Sequence, residues 1–181
     1  MSRRPNSPPL RFELKPGSKL DANADTLPIP LLNVRPRPRI KVIPKAENSA
    51  DPRVLSHFIN ASIDAFPPSD GYTRRMLVLS GHGSGAIGDF LTDDHAKRGQ
   101  PRSLTIPRLR DAFAMVRDRL KEKTEPPTPL IDILGMDSCL MSMAEVAYEI
   151  QEHVAYLVAS EGFVPNAGWP YKLLLQGLRR R

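Results

Sequence analysis

Two residues of this chain have the chemistry of a nucleophile and its base. Cys139 is the sole cysteine among 181 residues. An intramolecular disulfide is therefore impossible, and so is a structural zinc site built on several thiolates. A lone cysteine is either a small buried hydrophobe or a reactive thiol, and its context decides. His82 stands between Gly81 and Gly83, 57 positions earlier. An imidazole close to a thiol raises the thiolate population and later protonates a leaving amine. Glycines beside the histidine let a substrate backbone approach and free amides for an oxyanion, with the N–H groups of Gly83 and Cys139 as expected donors. Taken singly, both residues have plainer readings. A histidine between glycines is more often a loop residue than a base. Gly83-Ser-Gly85-Ala-Ile-Gly88 fits the spacing of a dinucleotide loop, but a polar loop rather than a helix surrounds it, and no Gly-Lys-Ser/Thr follows.

The elements that must position these two residues are legible from periodicity. Met76-Leu-Val-Leu79 is a short apolar run stopped by Ser-Gly-His-Gly-Ser-Gly, which suits a buried strand. Leu130-Ile-Asp-Ile-Leu134 is a second such run, ended by Gly135-Met-Asp-Ser-Cys139. Between them, residues 106–123 place Leu109, Ala112, Phe113, Val116 and Leu120 on one helical face, with Thr105 as cap. Asp51 and Pro52 open an earlier amphipathic helix carrying Val54, Leu55, Phe58, Ile59 and Ile63, which ends before Pro67-Pro68. A helix directly after Cys139 runs to about His153, and its N-terminus would favour the thiolate. Val154–Ala159 reads as a further strand, 171–178 as a last short helix, and 84–103 as a polar loop. Strands alternating with helices predict a parallel sheet, whose carboxyl ends gather functional groups. Both Cys139 and His82 fall at such ends.

Residues 1–50 have a different texture. Nine prolines interrupt every candidate element there, so the segment is expected to be mostly extended or disordered, with 51–181 as the core domain. Ile40–Ile43 reads equally as an edge strand or as linker. The net charge of +6 comes from scattered residues, densest at Arg35, Arg37, Arg39 and Lys41 and at Arg179–Arg181. No aromatic residues interleave them as a base-stacking surface requires, so nucleic acid is not an expected partner. No run approaches the ~20 apolar residues that span a bilayer, and the N-terminus lacks the apolar stretch of a signal peptide. The expectation from the chain as given is a cytoplasmic monomer without membrane contact, or a secreted one if the chain is an N-terminally shortened fragment.

Three motifs taken together resemble one family. Met76-Leu-Val-Leu-Ser-Gly-His-Gly-Ser-Gly85 is similar to the histidine strand of the clostripain family of cysteine peptidases. Asp137-Ser-Cys-Leu-Met-Ser-Met-Ala-Glu-Val-Ala-Tyr-Glu149 resembles its cysteine motif and the helix after it. Ala159-Ser-Glu-Gly-Phe-Val-Pro-Asn-Ala-Gly-Trp-Pro-Tyr171 resembles the next segment, and Asp51–Tyr72 the helix before the histidine strand. The resemblance spans about residues 50–178. It implies a three-layer α/β/α caspase-like sandwich with a mostly parallel sheet, incomplete at both ends here. It also implies cleavage of protein or peptide substrates after Arg or, less often, Lys. His82 would be the base and Cys139 the nucleophile. Asp137 would be the acidic residue of the pocket for the basic side chain, with helix capping as its alternative role. Ser160, Glu161 and Trp169 would line the substrate cleft, and Glu145 and Glu149 read as structural. No cofactor is required by the sequence. Calcium is implied only by the resemblance, with Asp89, Asp93 and Asp94 as the nearest cluster. A catalytically impaired, caspase-like interaction module is the alternative.

Overall fold

The computed structural model of the chain describes residues 48–66, 74–94, 96–120 and 129–178, together with the strands Leu10–Glu13 and Arg39–Val42. The chain divides into two units, Met1–Glu47 and Asn48–Arg181. In the first, β1 (Leu10–Glu13) pairs antiparallel with β2 (Arg39–Val42), Leu10 opposite Val42 and Glu13 opposite Arg39. The run read as either edge strand or linker is thus a strand, begun one residue earlier than expected. Its partner β1 carries no strong alternation and was not foreseen. Ile43 and the basic run at Arg179–Arg181 lie outside the described residues.

The second unit opens on α1 (Pro52–Ala65). The Asp51 carboxylate accepts the Arg53 amide at 2.9 Å, and Pro52 takes the first helical position, where a missing N–H costs nothing. There follow β3 (Met76–Ser80), α2 (Ile106–Leu120), β4 (Ile131–Asp137), α3 (Ala144–Ile150), β5 (Val154–Val158) and α4 (Tyr171–Leu178). The expected end of α2 at 121–123 and the Pro67-Pro68 stop after α1 lie outside the described residues. β3, β4 and β5 form a parallel sheet in that order. Met76 lies opposite Ile133, Ser80 opposite Asp137, and Ile131 opposite Val154. Asp132 pins this register. Its carboxylate accepts the Arg75 amide at 2.7 Å and pairs with Arg74 at 2.6 Å. Burial alone would raise its pKa, but those donors and the nearby arginines together hold it below the ordinary value.

α2 packs between α1 and α3. The core joins Leu55 and Ile59 of α1, Leu109, Phe113 and Val116 of α2, Val146 and Ile150 of α3, and Leu134 and Met136 of β4. Side chains alternate across a strand, so Gly135 and Asp137 face the side opposite Leu134 and Met136. There the segment Gly168–Tyr171 covers them.

Three expectations need correction. β4 runs to Asp137 rather than ending near Leu134, because its ladder with β3 continues through Val78–Gly135 and Ser80–Asp137. α3 starts at Ala144, leaving four residues of turn after Cys139, so no helix N-terminus sits directly on the thiol. The loop 84–103 is polar in composition yet buries Phe90 and Ser103, and isolated bridges join Gly83 to Phe90 and Thr92 to Ser103.

Candidate active site

His82 and Cys139 are delivered by neighbouring strands. Ser80 and Asp137 are the last paired residues of β3 and β4, and His82 and Cys139 each lie two positions beyond them. Strands in a sheet lie about 4.8 Å apart, so this register sets the two segments side by side. The Gly81 amide donates to the Asp137 carbonyl at 3.3 Å, which carries the pairing past the strand ends. Gly83 then seats against the Cys139 backbone. A Cβ at Gly83 would stand 2.6 Å from the Cys139 carbonyl oxygen and 2.8 Å from Met141 Sδ, so no larger residue fits. Among the described residues, neither the Gly83 nor the Cys139 amide donates to another backbone carbonyl outside regular elements.

The thiol itself is half-buried and faces Val164. The Val164 amide donates to Sγ at 3.3 Å, and the Sγ–Val164 carbonyl separation is 3.8 Å. No hydrogen bond joins His82 to Cys139, and His82 is exposed. The only non-glycine residues with φ in the left-handed region are Leu91 (49°) and Leu140 (60°) among those described. Leu91 donates its amide to the His82 carbonyl, and Leu140 directly follows Cys139. Backbone strain in this fold is thus concentrated on the two segments that meet here.

Asp137 is 4% exposed, at the end of β4. One carboxylate oxygen, Oδ2, accepts Ser80 Oγ–H at 3.2 Å, the Trp169 amide at 3.1 Å and the Tyr171 hydroxyl at 2.7 Å. The other, Oδ1, is buried without a protein partner. An unmatched buried acceptor costs about 1–3 kcal/mol, and more when charged. Asp137 does not cap the helix that follows it in sequence, since α3 starts only at Ala144; its donors come from β3 and from the 168–171 segment that leads into α4. Gly168 permits this, since its φ is +68° and a Cβ there would lie 2.6 Å from Oδ2. Burial, and then the bond to Asp137, push the Tyr171 phenol up to about 12, so it stays a protonated donor at neutral pH.

The sequence model of the Clostripain family matches residues 37–180. The chain belongs to the clostripain family. No curated protein sequence matches it. Among solved structures, it is similar to a secreted C11 cysteine protease from Bacteroides thetaiotaomicron in complex with an irreversible peptide inhibitor. That likeness has a TM-score of 0.56 at 22% identity, over 78% of this chain and 37% of that one. A further structure of a secreted C11 cysteine protease from that organism, "iotapain", gives a TM-score of 0.57 at 19% identity, over 80% and 40%. An inactive zymogen C11 protease from Parabacteroides distasonis gives 0.55 at 22% identity, over 92% and 38%. This clostripain-family chain thus spans less than half the length of the structures it matches. Its fold is the mixed α/β, caspase-like one expected.

Of the clostripain-type candidates, the structure brings His82, Gly83 and Cys139 to one edge, and Asp137 and Trp169 to an adjoining cluster. Trp169 lies against β4, where a Cβ on Gly135 would stand 2.8 Å from its ring. Ser160 is less engaged with that cluster. Its Oγ closes its own turn by accepting the Gly162 amide at 3.2 Å, and its carbonyl accepts the Ser142 amide. Glu161 is exposed. Glu149 pairs with Arg110 at 2.6 Å, joining α3 to α2, as a structural residue would. Three residues escaped the sequence reading: Ser80, Val164 and Tyr171. Ser80 had a signal in its strand position beside Asp137; the other two reach the site only through the fold. Among the described residues no cluster of three His, Cys, Asp or Glu is arranged around a metal position, and Asp93 Oδ2 is engaged by Ser49 N–H at 2.9 Å. A separate apolar cavity of about 360 Å3 lies between α1 and β3, lined by Phe58, Ile63, Met76 and Ile131 among others. It includes neither His82 nor Cys139.

Proposed function

We propose that this chain is a cysteine endopeptidase of the clostripain type that cleaves after Arg and, less often, Lys. The observation that carries the reading is the seating of Gly83 on Cys139, with the half-satisfied carboxylate of Asp137 two residues before the thiol. His82 takes the thiol proton as Cys139 Sγ attacks the scissile carbonyl carbon. The Gly83 and Cys139 amides receive the oxyanion, and the imidazolium then gives its proton to the leaving amine. Water, deprotonated by His82, cleaves the resulting thioester and restores the thiol. Asp137 Oδ1 accepts the cationic side chain of the substrate residue before the scissile bond. Trp169 and Ser160 flank that pocket. The reading is also supported by the structurally similar proteins, which are described as cysteine proteases, one of them in complex with a peptide inhibitor.

A fluorogenic peptide with Arg before the scissile bond tests it. Cys139→Ala removes turnover, and His82→Ala lowers kcat by ~10²–10⁴-fold. Equal rates for wild type and Cys139→Ala would overturn the assignment.

One observation favours a second reading, an interaction module with an idle dyad. The thiol bonds to Val164 rather than His82. A folded sample that takes up no arginyl acyloxymethyl ketone on Cys139 supports that reading, whereas stoichiometric labelling removes it.

A further inference from the structure

The three donors on Asp137 all converge on one oxygen. A carboxylate oxygen has two lone pairs, so Ser80 Oγ–H, the Trp169 amide and the Tyr171 hydroxyl fill Oδ2 completely. Oδ1 is equally buried and has no protein partner. The asymmetry is built by two separated parts of the chain, β3 through Ser80 and the start of α4 through Tyr171. A carboxylate free to turn about its Cβ–Cγ bond would present either oxygen, and the three donors remove that freedom.

We propose that Tyr171 is a positioning and specificity-determining residue of this pocket: with Ser80 and the Trp169 amide it locks Oδ2, so that Oδ1 alone meets the incoming cation. This rests on the reading of Asp137 as acceptor of a basic side chain, and it adds a consequence that reading lacks. A guanidinium gains its geometric advantage over an ammonium by gripping both oxygens of a carboxylate side by side. Here the second oxygen is filled. The pocket therefore makes a single-oxygen contact, which an ammonium makes equally well, so Asp137 itself adds little to the preference for Arg over Lys. The phenol suits the task because it remains protonated at neutral pH. Its 2.7 Å bond is the shortest of the three, at the usual O–H···O length.

The test needs no turnover. Trp169 is the sole tryptophan of the chain and its ring lies against Gly135, on the sheet face that carries Asp137, so its emission reports on the pocket. Using the Cys139→Ala full chain, n-butylguanidine, n-butylamine and the neutral isostere n-butylurea are titrated against that emission. With Tyr171 intact, the guanidine and the amine are expected to bind within about fivefold of each other. A guanidine preference above about thirtyfold would overturn the single-oxygen contact. Adding Tyr171→Phe should weaken both cations at least about fivefold and leave butylurea unchanged. Ser80→Ala should act in the same direction and serves if the tyrosine variant melts too early to titrate. Cation binding unchanged in both variants, or butylurea weakened as much as the cations, would overturn the positioning role. Asp137→Asn separates the two levels. If it abolishes cation binding while Tyr171→Phe and Ser80→Ala do nothing, only the lock is wrong. If it too has no effect, the reading of Asp137 as cation acceptor fails.

Discussion

Among the described residues, Asp137 and His153 are the two buried ionisable side chains, and their surroundings differ in kind. Asp137 meets donors on one oxygen, and its other oxygen has no protein partner. His153, 6% exposed at the turn before β5, packs its ring near Phe113 and accepts Arg117 Nε–H on Nδ1 at 3.4 Å. Burial, and then the Arg117 guanidinium, hold its pKa below the ordinary 6.5. The folded state thus binds fewer protons than the unfolded state once the pH drops beneath that value. The sign follows: the contribution of His153 is complete above pH 6.5 and is lost as the pH falls from there towards its folded value. Thermal melts between pH 7 and 5.5 should show a falling midpoint, and His153→Gln should flatten that slope. A slope unaltered by the substitution would assign the acid sensitivity elsewhere.

At the scale of elements, the site depends on β4 more than on any loop. Its extension to Asp137 puts alternate residues to opposite uses, Leu134 and Met136 into the core, Gly135 and Asp137 towards the 168–171 segment. Gly135 is small because Trp169 lies on it. An alanine Cβ there would stand 2.8 and 2.9 Å from the indole ring and 3.2 Å from Val78 Cγ2. Overpacking of this sort costs about 1–3 kcal/mol. Gly135→Ala should therefore lower the unfolding free energy by that amount, read as a lower urea midpoint at unchanged m. It should also shift tryptophan emission, since the ring must lift and take its amide away from Asp137. An unchanged emission spectrum would mean that the contact gives way elsewhere. Sequence periodicity located β4 but ended it early, because Gly135 reads as punctuation unless its partner ring is known. Helix α1, by contrast, was legible nearly to the residue. Its cap, its N-terminal proline and its apolar stripe are all local signals.

For the whole molecule, the exposed apolar surface is conspicuous. α4 has no buried residue, and Leu173 (67%) and Leu178 (61%) face solvent together with Leu174 and Leu175. β5, an outer strand of the sheet, exposes Tyr156 and Val158. Contiguous apolar surface on a folded chain binds hydrophobic dyes and promotes association. Native protein should bind anilinonaphthalene sulfonate, and Leu173→Gln with Leu178→Gln should reduce that signal without moving the unfolding midpoint. A midpoint that falls with the signal would mean that α4 is packed after all. No helix among the described residues is long and apolar enough to cross a membrane. The amino-acid sequence by itself determined the order of strands and helices from α1 onwards, the parallel sheet, the family, and the two strand ends bearing His82 and Cys139. Those features rest on hydrophobic period and local motifs, which a linear chain carries in full. Only the tertiary structure decided that Cys139 Sγ faces Val164, that Leu140 is strained, and that Ser80 and Tyr171 share one oxygen of Asp137. The last joins residues 57 and 34 positions from Asp137. Such meetings follow from sheet register and from how α4 begins, and no local pattern encodes them.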